Sequence, residues 1–129
     1  MKPGILALLV CAALPLAAHH SFAATYDESK PVTLEGTASK MLLRNPHSFF
    51  SLEVTGADGT VTTWSVELTG AGSLMANGWT RSSLKDGDHV IVTGTQGKNQ
   101  ATRVGAFTVT LANGQVLKLN PYWGMGAKK

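Results

Sequence analysis

The first apolar stretch of the chain differs from everything that follows it. Residues 5–14 are almost purely apolar, and they follow a positive charge at Lys2. Pro15 ends the run, and Ala18 then supplies the small residue that signal peptidase requires. The run is shorter than the roughly 20 residues that a membrane-spanning helix needs, and no later stretch approaches that length. The pattern predicts a cleavable signal peptide over residues 1–18, export to the periplasm, and no membrane span in the mature chain.

Beyond this leader, apolar and polar residues alternate with a period of two, which is typical of half-buried β-strands. Two successive strands each place three apolar side chains on one face, namely Phe50, Leu52 and Val54 and then Trp64, Val66 and Leu68. A long strand is predicted before them over residues 32–43, and a polar entry segment over 25–31. Further strands are predicted over residues 89–94, 103–111 and 115–119.

The pattern changes between the third and fourth predicted strands. There Ser73 can cap a short helix that Asn77 and Gly78 end. Three strands, a helix and further strands within about a hundred residues is the element order of an oligonucleotide/oligosaccharide-binding (OB) barrel. We therefore expect an all-β fold with a short helix, a small OB-like closed or partly open β-barrel over residues 19–119. A C-terminal tail over residues 120–129 follows it.

Composition argues against several classes of function. The chain has 11 Lys and Arg against 8 Asp and Glu, and the basic residues are scattered, so nucleic acid is not expected as a partner. Cys11 is the one cysteine and lies in the predicted leader, so the mature chain offers neither a disulfide nor a thiolate. The sequence has no nucleophile elbow and no Gly-rich phosphate loop, and we predict that the protein is not an enzyme.

Several motifs of the chain resemble one known family. They are Ala-His-His-Ser-Phe-Ala at residues 18–23, Tyr-Asp-x-x-Lys-Pro-Val-Thr-Leu-x-Gly-Thr at 26–37, Arg-Asn-Pro-His at 44–47 and Gly-Trp-Thr-Arg-x-Ser-Leu-Lys-x-Gly-Asp at 78–88. Together they resemble a family of small exported bacterial proteins that is known only as a domain of unknown function. The resemblance runs from residue 18 to about residue 119. It implies export, a single β-rich domain and a mature protein that keeps both histidines, but it implies no activity.

The histidines suggest a metal site. Cleavage after Ala18 would make His19 the N-terminal residue, with a free amine and an imidazole beside the imidazole of His20. His47 ends the predicted turn at residues 44–47 and would complete the set if the N-terminal arm folds onto that turn. Nitrogen donors suit Cu(II), which heads the affinity series for such ligands. We therefore expect a small periplasmic binding protein that takes copper or another transition metal at His19, His20 and His47.

Two alternatives need no metal. In the first, the histidines at 19 and 20 only tune cleavage or cap the barrel, and His47 hydrogen-bonds a turn. In the second, the protein binds another ligand, because an OB barrel typically binds ligands on its second and third strands. Here that outer face would carry Phe49, Ser51, Glu53, Thr63, Ser65 and Glu67. Such a face suits a polar ligand or a periplasmic protein partner, although an ordinary solvated surface explains Glu53 and Glu67 better. His89, outside the matched motifs, is expected at the surface.

The cleavage point is the first testable consequence. We predict that the exported protein begins at His19, and intact-mass analysis of the secreted chain measures this directly. Cleavage after Ala23 fits the small-x-small rule and would discard both histidines. Cleavage after Ala17 would place His20 third, where it would form a different amino-terminal copper or nickel site. An N-terminus at Ala24, or an acylated Cys11, would contradict the prediction.

Overall fold

The computed structural model describes residues 22–119 of the 129-residue chain. In this part the elements are β1 (Tyr26–Leu42), β2 (His47–Thr55), β3 (Val61–Thr69), α1 (Ala71–Ala76), β4 (His89–Gly97), β5 (Arg103–Leu111) and β6 (Val116–Lys118). Residues 22–25 are helical and run directly into β1. Within residues 22–119, no helix is long and apolar enough to cross a membrane. The predicted leader and tail lie outside the described residues, so the proposed domain boundaries stay predictions.

The strands close into a small barrel. Their order in the sheet is β3-β2-β1-β4-β5-β6, and all of these neighbours are antiparallel. A parallel pairing between β3 and β5, centred on Val66 and Val104, joins the two ends of the ring. β6 extends the later half of β5, beyond the segment that β3 uses. The predicted all-β, OB-like barrel with a short helix after the third strand is confirmed.

The first strand is longer than its sequence suggests. The segment predicted as a polar entry belongs to β1, where Tyr26 pairs with Gly97 and Pro31 with Thr95. The 17 residues of β1 serve two neighbours, because the first part pairs with β4 and the last part with β2. The strand bends through a bulge at Lys40, whose φ is 55°. Backbone pairing with β4 thus overrides the weak strand propensity of the polar residues.

The alternating pattern correctly identified the centre of the core. Phe50 and Leu52 of β2, and Val66 and Leu68 of β3, are fully buried. Trp64 is only partly buried and packs against the edge of this core. The other strands contribute small and branched side chains, among them Leu34, Ala38, Val90, Val92, Val104, Ala106 and Val109. Since one contiguous cluster fills the barrel, burial of apolar surface is the main source of stability.

The helix begins differently from the prediction. α1 starts at Ala71 after Gly70, so Ser73 lies inside it and does not cap it. Its first amides are instead held by the turn before β2: Ala71 donates to the Arg44 carbonyl at 2.9 Å, and Gly72 donates to Asn45 Oδ1 at 3.3 Å. These long-range acceptors replace the local cap that the sequence suggested. The predicted end at Asn77 and Gly78 is correct.

Gly36 allows β1 and β2 to cross closely inside the barrel. A Cβ atom at this position would lie 2.1 Å from the carbonyl oxygen of Glu53. We predict that Gly36→Ala lowers the free energy of unfolding by about 3 kcal/mol, because the backbone of β2 must move to admit the methyl group.

Gly72→Ala is the matched control for this measurement. Gly72 lies in α1, where a Cβ atom would have its nearest neighbour at 3.9 Å. An alanine there should raise the free energy of unfolding by up to about 1 kcal/mol, since it restricts the unfolded chain. Urea unfolding of both variants measures the two effects. Equal effects of the two substitutions would contradict the close crossing.

Candidate functional site

The turn between β1 and β2 is pinned from both sides. The hydroxyl of Ser48 is fully buried, accepts from the Arg44 amide at 3.1 Å and donates to the Arg44 carbonyl at 3.0 Å. Asn45 holds the first turn of α1, as described above, and the Asn45–Pro46 peptide is cis. His47 therefore leaves a well-anchored turn as the first residue of β2.

His47 is bound to a buried carboxylate. Its Nδ1 lies 2.6 Å from Oε1 of Glu67 on β3. In the register of the two strands, Phe49 faces Glu67, so His47 is the diagonal neighbour of Glu67 on the same face of the sheet. The side chain of His47 is 35% exposed, whereas that of Glu67 is 4% exposed. The imidazole thus lies at the rim of the barrel, and its Nδ1 atom faces the buried carboxylate of Glu67.

The burial of Glu67 contradicts its interpretation as a solvated surface residue. Alternation correctly placed it on the outer face of β3, where β5 lies beside β3 in the sheet and pairs Glu67 with Gly105. Because Gly105 has no side chain, the rings of Phe22 and Tyr26 pack onto its backbone; a Cβ atom there would lie 2.7 Å from Phe22 Cε2 and 3.1 Å from Tyr26 Cδ2. The N-terminal end of the described chain therefore covers what the sequence pattern marks as a surface.

The second oxygen of Glu67 is also fully engaged. Oε2 accepts a hydrogen bond from the Tyr26 hydroxyl and another from Arg103 at 2.6 Å. Arg103 also donates from Nε to the Tyr26 hydroxyl at 2.9 Å. We call Tyr26, His47, Glu67 and Arg103 the Glu67 cluster. Its single carboxylate is shared among one guanidinium, one phenol and one imidazole, which come from three different strands, and the carboxylate itself comes from a fourth.

The electrostatics of the Glu67 cluster determine which atoms carry protons. Burial, followed by the hydrogen bond to Glu67, raises the pKa of Tyr26, so the phenol remains a neutral donor. Desolvation lowers the pKa of Arg103, but hydrogen bonds to Glu67 and Tyr26 outweigh it and the net shift is upward. The Glu67 carboxylate, which lies beside this cation, accepts a hydrogen bond from the Nδ1–H group of His47. In the neutral ring, Nε2 then carries the lone pair that a metal ion would need.

The ring of Phe49 packs against the guanidinium group of Arg103 in the Glu67 cluster. The guanidinium of Arg103 lies 5.7 Å from the centre of the Phe49 ring and 5.6 Å from that of Tyr26. Arg44, from the turn before His47, lies 5.4 Å from the same Phe49 ring. All three distances fall within the range of cation–π attraction. Stacking on two aromatic rings restricts Arg103 and so helps to hold the carboxylate in place.

The three predicted metal ligands can be compared with this geometry. His47, predicted as the last residue of the turn, is instead the first residue of β2, while His19 and His20 lie outside the described residues. Phe22, which follows them closely in the chain, is buried and stacks on Tyr26 with ring centres 4.7 Å apart. Within residues 22–119, no group of three or more His, Cys, Asp or Glu side chains is arranged to hold a metal ion.

The other described histidine behaves as predicted. His89 is exposed, and its Nε2 lies 2.8 Å from Oε1 of Glu35 on the neighbouring strand β1. Both side chains are more than half exposed, which makes this pair a solvated counterpart of the buried pair between His47 and Glu67.

Sequence reasoning missed Tyr26 and Arg103 as parts of the site. Tyr26 fell in the segment predicted as a polar entry, and Arg103 opened a strand without any sign of a partner. Glycine at position 105 is the one local signal, because a glycine within a strand often marks a close approach of other groups. Even so, periodicity alone does not reveal which side chains approach.

Comparison with known proteins agrees with the motifs. Residues 7–106 match a family of unknown function, DUF6152. The chain belongs to this family. No curated protein matches it. The range matched by DUF6152 includes the histidines at 19 and 20, the turn before β2 and all four residues of the Glu67 cluster. Because DUF6152 has no assigned function, the chemistry of the site rests on the residues themselves.

Removing the cation of the Glu67 cluster should be costly. We predict that Arg103→Met lowers the free energy of unfolding by about 3 kcal/mol, because it leaves Glu67 buried without its charged partner. Adding Glu67→Gln to this variant should recover part of the loss. Lys30→Met is the control, since Lys30 and Asp27 form a solvent-screened surface pair at 3.7 Å whose removal should change the free energy of unfolding far less. Urea unfolding of the unsubstituted protein, the single variants Arg103→Met and Glu67→Gln, the double variant and Lys30→Met provides the values. If the losses of the two single variants add up fully in the double variant, the two residues are not coupled.

Proposed function

We propose that this protein is a small periplasmic, non-enzymatic binding protein that takes copper through the amine and imidazole of His19 and the imidazoles of His20 and His47. The observation that supports this proposal best is the bond from His47 Nδ1 to the buried Glu67 carboxylate. Histidines that bind metals usually donate their second ring nitrogen to a carboxylate or carbonyl, which selects the tautomer and orients the ring. His47 has this arrangement, and Arg103 and Tyr26 hold its carboxylate in turn.

The start of the described chain favours a site that combines both groups of histidines. A series of direct contacts leads from Phe22 to the Tyr26 ring, from the Tyr26 hydroxyl to Glu67, and from Glu67 to His47. His19 and His20 precede Phe22 by three and two residues. Three residues span at most about 10 Å when extended. Such a reach is compatible with a shared site at the rim beside His47.

The donor set favours copper among the transition metals. An amine and three imidazoles are all nitrogen ligands, and Cu(II) binds such ligands more tightly than the other divalent ions of the first row. The single cysteine of the chain lies in the predicted leader, so a thiolate site for zinc or Cu(I) has no ligand in the mature protein. The proposed role is therefore binding of Cu(II), with no redox or hydrolytic chemistry required.

A cavity on the outer face of β2 and β3 supports the second candidate function, binding of a polar ligand without metal. This cavity has a volume of about 410 Å³ and is lined by Ser51, Thr63, Ser65, Gln100 and Thr102, together with Trp64 and Arg103. Hydroxyls and an amide beside an aromatic ring suit an uncharged polar molecule. Metal binding ranks first, because the cavity is an open surface groove whereas His47 is oriented by a specific bond to a buried carboxylate.

The metal proposal predicts a graded set of Cu(II) affinities for the mature protein. Extending the N-terminus by one residue should remove most of the affinity, because the amine moves out of chelating reach. His47→Ala should cost less, since it removes one ligand. Affinity should also fall as the pH is lowered, because protons compete for the amine and the imidazoles. Competition titration against a chelator of known affinity measures each effect.

Glu67→Gln tests the positioning role of the buried carboxylate. It should weaken Cu(II) binding by about 10- to 100-fold, the usual effect of losing such an outer partner. The matched control is Glu35→Gln, which removes the carboxylate from His89 and should leave the affinity unchanged, as should His89→Ala. Circular dichroism at the titration temperature establishes that each variant is folded.

The N-terminal extension gives the result that would contradict the proposal. If the protein extended by one residue at its N-terminus binds Cu(II) as tightly as the mature protein, the proposed N-terminal histidine site is wrong.

A further inference from the structure

A second cavity lies beside the end of β1 and the start of the turn before β2. It has a volume of about 240 Å³ and separates the end of β1 from the segment that follows α1. Its lining includes Met41, Leu43, Arg44, Trp79, Arg81 and Leu84. Arg44 belongs to the Arg-Asn-Pro-His motif, and Trp79, Arg81 and Leu84 belong to the Gly-Trp-Thr-Arg motif. The fold thus brings two motifs that are distant in sequence to one cavity, and metal binding uses neither the cavity nor the second motif.

The charge of the cavity has one sign. Arg44 and Arg81 are its charged lining residues, and no carboxylate lines it. Among the described residues, the ion pairs involve neither of these guanidinium groups. Arg44 is instead positioned by the ring of Phe49. Two guanidinium groups beside a concave surface favour an anion, and their planar donors match the oxygens of a carboxylate, sulfonate or phosphate.

The floor of the cavity is apolar and contains an unsatisfied donor. Trp79 is 2% exposed and Leu84 4% exposed, and Met41 and Leu43 pack partly buried against the same core. The indole Nε1 of Trp79 is buried and has no hydrogen-bond acceptor within the described part of the chain. A buried donor without a partner can be satisfied by a bound water or by a ligand atom. Because Trp79 lines the cavity, its indole is a candidate contact for a molecule bound there.

We propose that this cavity binds an amphipathic organic anion, a molecule with an apolar body and one carboxylate, sulfonate or phosphate group. The apolar body packs on Trp79, Leu84 and Met41, and the anionic group lies between Arg44 and Arg81. The proposal is independent of copper binding, because it shares neither ligands nor cavity with the Glu67 cluster.

A matched pair of fluorescent probes tests the proposal. 8-Anilinonaphthalene-1-sulfonate carries a sulfonate, and N-phenyl-1-naphthylamine has the same ring system without it. The mature protein should bind the sulfonate probe saturably, and the neutral probe about tenfold more weakly or less, because it lacks the charge-assisted hydrogen bonds. Arg44→Gln and Arg81→Gln should each weaken binding of the sulfonate probe by about tenfold without affecting the neutral probe.

A control variant and an NMR measurement show where the sulfonate probe binds. Lys118→Gln removes an exposed cation of β6 outside the cavity and should leave both affinities unchanged. The sulfonate probe should also shift one indole N–H resonance, which Trp79→Phe eliminates from the ¹H–¹⁵N spectrum. Equal binding of the two probes, or unchanged binding of the sulfonate probe in both arginine variants, would overturn the proposal.

Discussion

A carboxylate buried as deeply as that of Glu67 must be neutralised and hydrogen-bonded, and this requirement links the parts of the barrel to one another. Its partners come from the start of β1, the start of β2 and the start of β5. None of these segments is near another in sequence. Each must reach its position for Glu67 to be stable in the interior, because an unpaired buried charge costs several kcal/mol. The Glu67 cluster therefore couples closure of the barrel to the position of His47.

The coupling works through the parallel pairing of β3 with β5. That pairing places Gly105 opposite Glu67 and lets Phe22 and Tyr26 pack over the backbone of β5. The same pairing brings Arg103 within reach of the carboxylate. The segment where the described chain begins is thus fastened to the rim where His47 lies. The pairing that closes the barrel thus also positions the carboxylate that binds His47.

Local patterns predicted the features that depend on local physics. Alternation identified Phe50, Leu52, Val66 and Leu68 as core residues, and the order of elements predicted the barrel. The start of β1 was missed because its strand character comes from pairing with β4, not from its own residues. Glu67 was misjudged because alternation shows on which face a residue lies but not what covers that face. The start of α1 was missed for a similar reason, since its acceptors come from the turn before β2.

The most direct test of the central claim is the tautomer of His47, measured by long-range ¹H–¹⁵N correlation spectroscopy on the metal-free protein at a pH where the ring is neutral. We predict that Nδ1 carries the proton, because it donates to Glu67, and that Nε2 has the shift of an unprotonated nitrogen. His89 serves as the internal reference, since its Nε2 faces Glu35 and should carry the proton there. If His47 is protonated at Nε2, Glu67 does not orient its ring toward metal binding and the account is wrong.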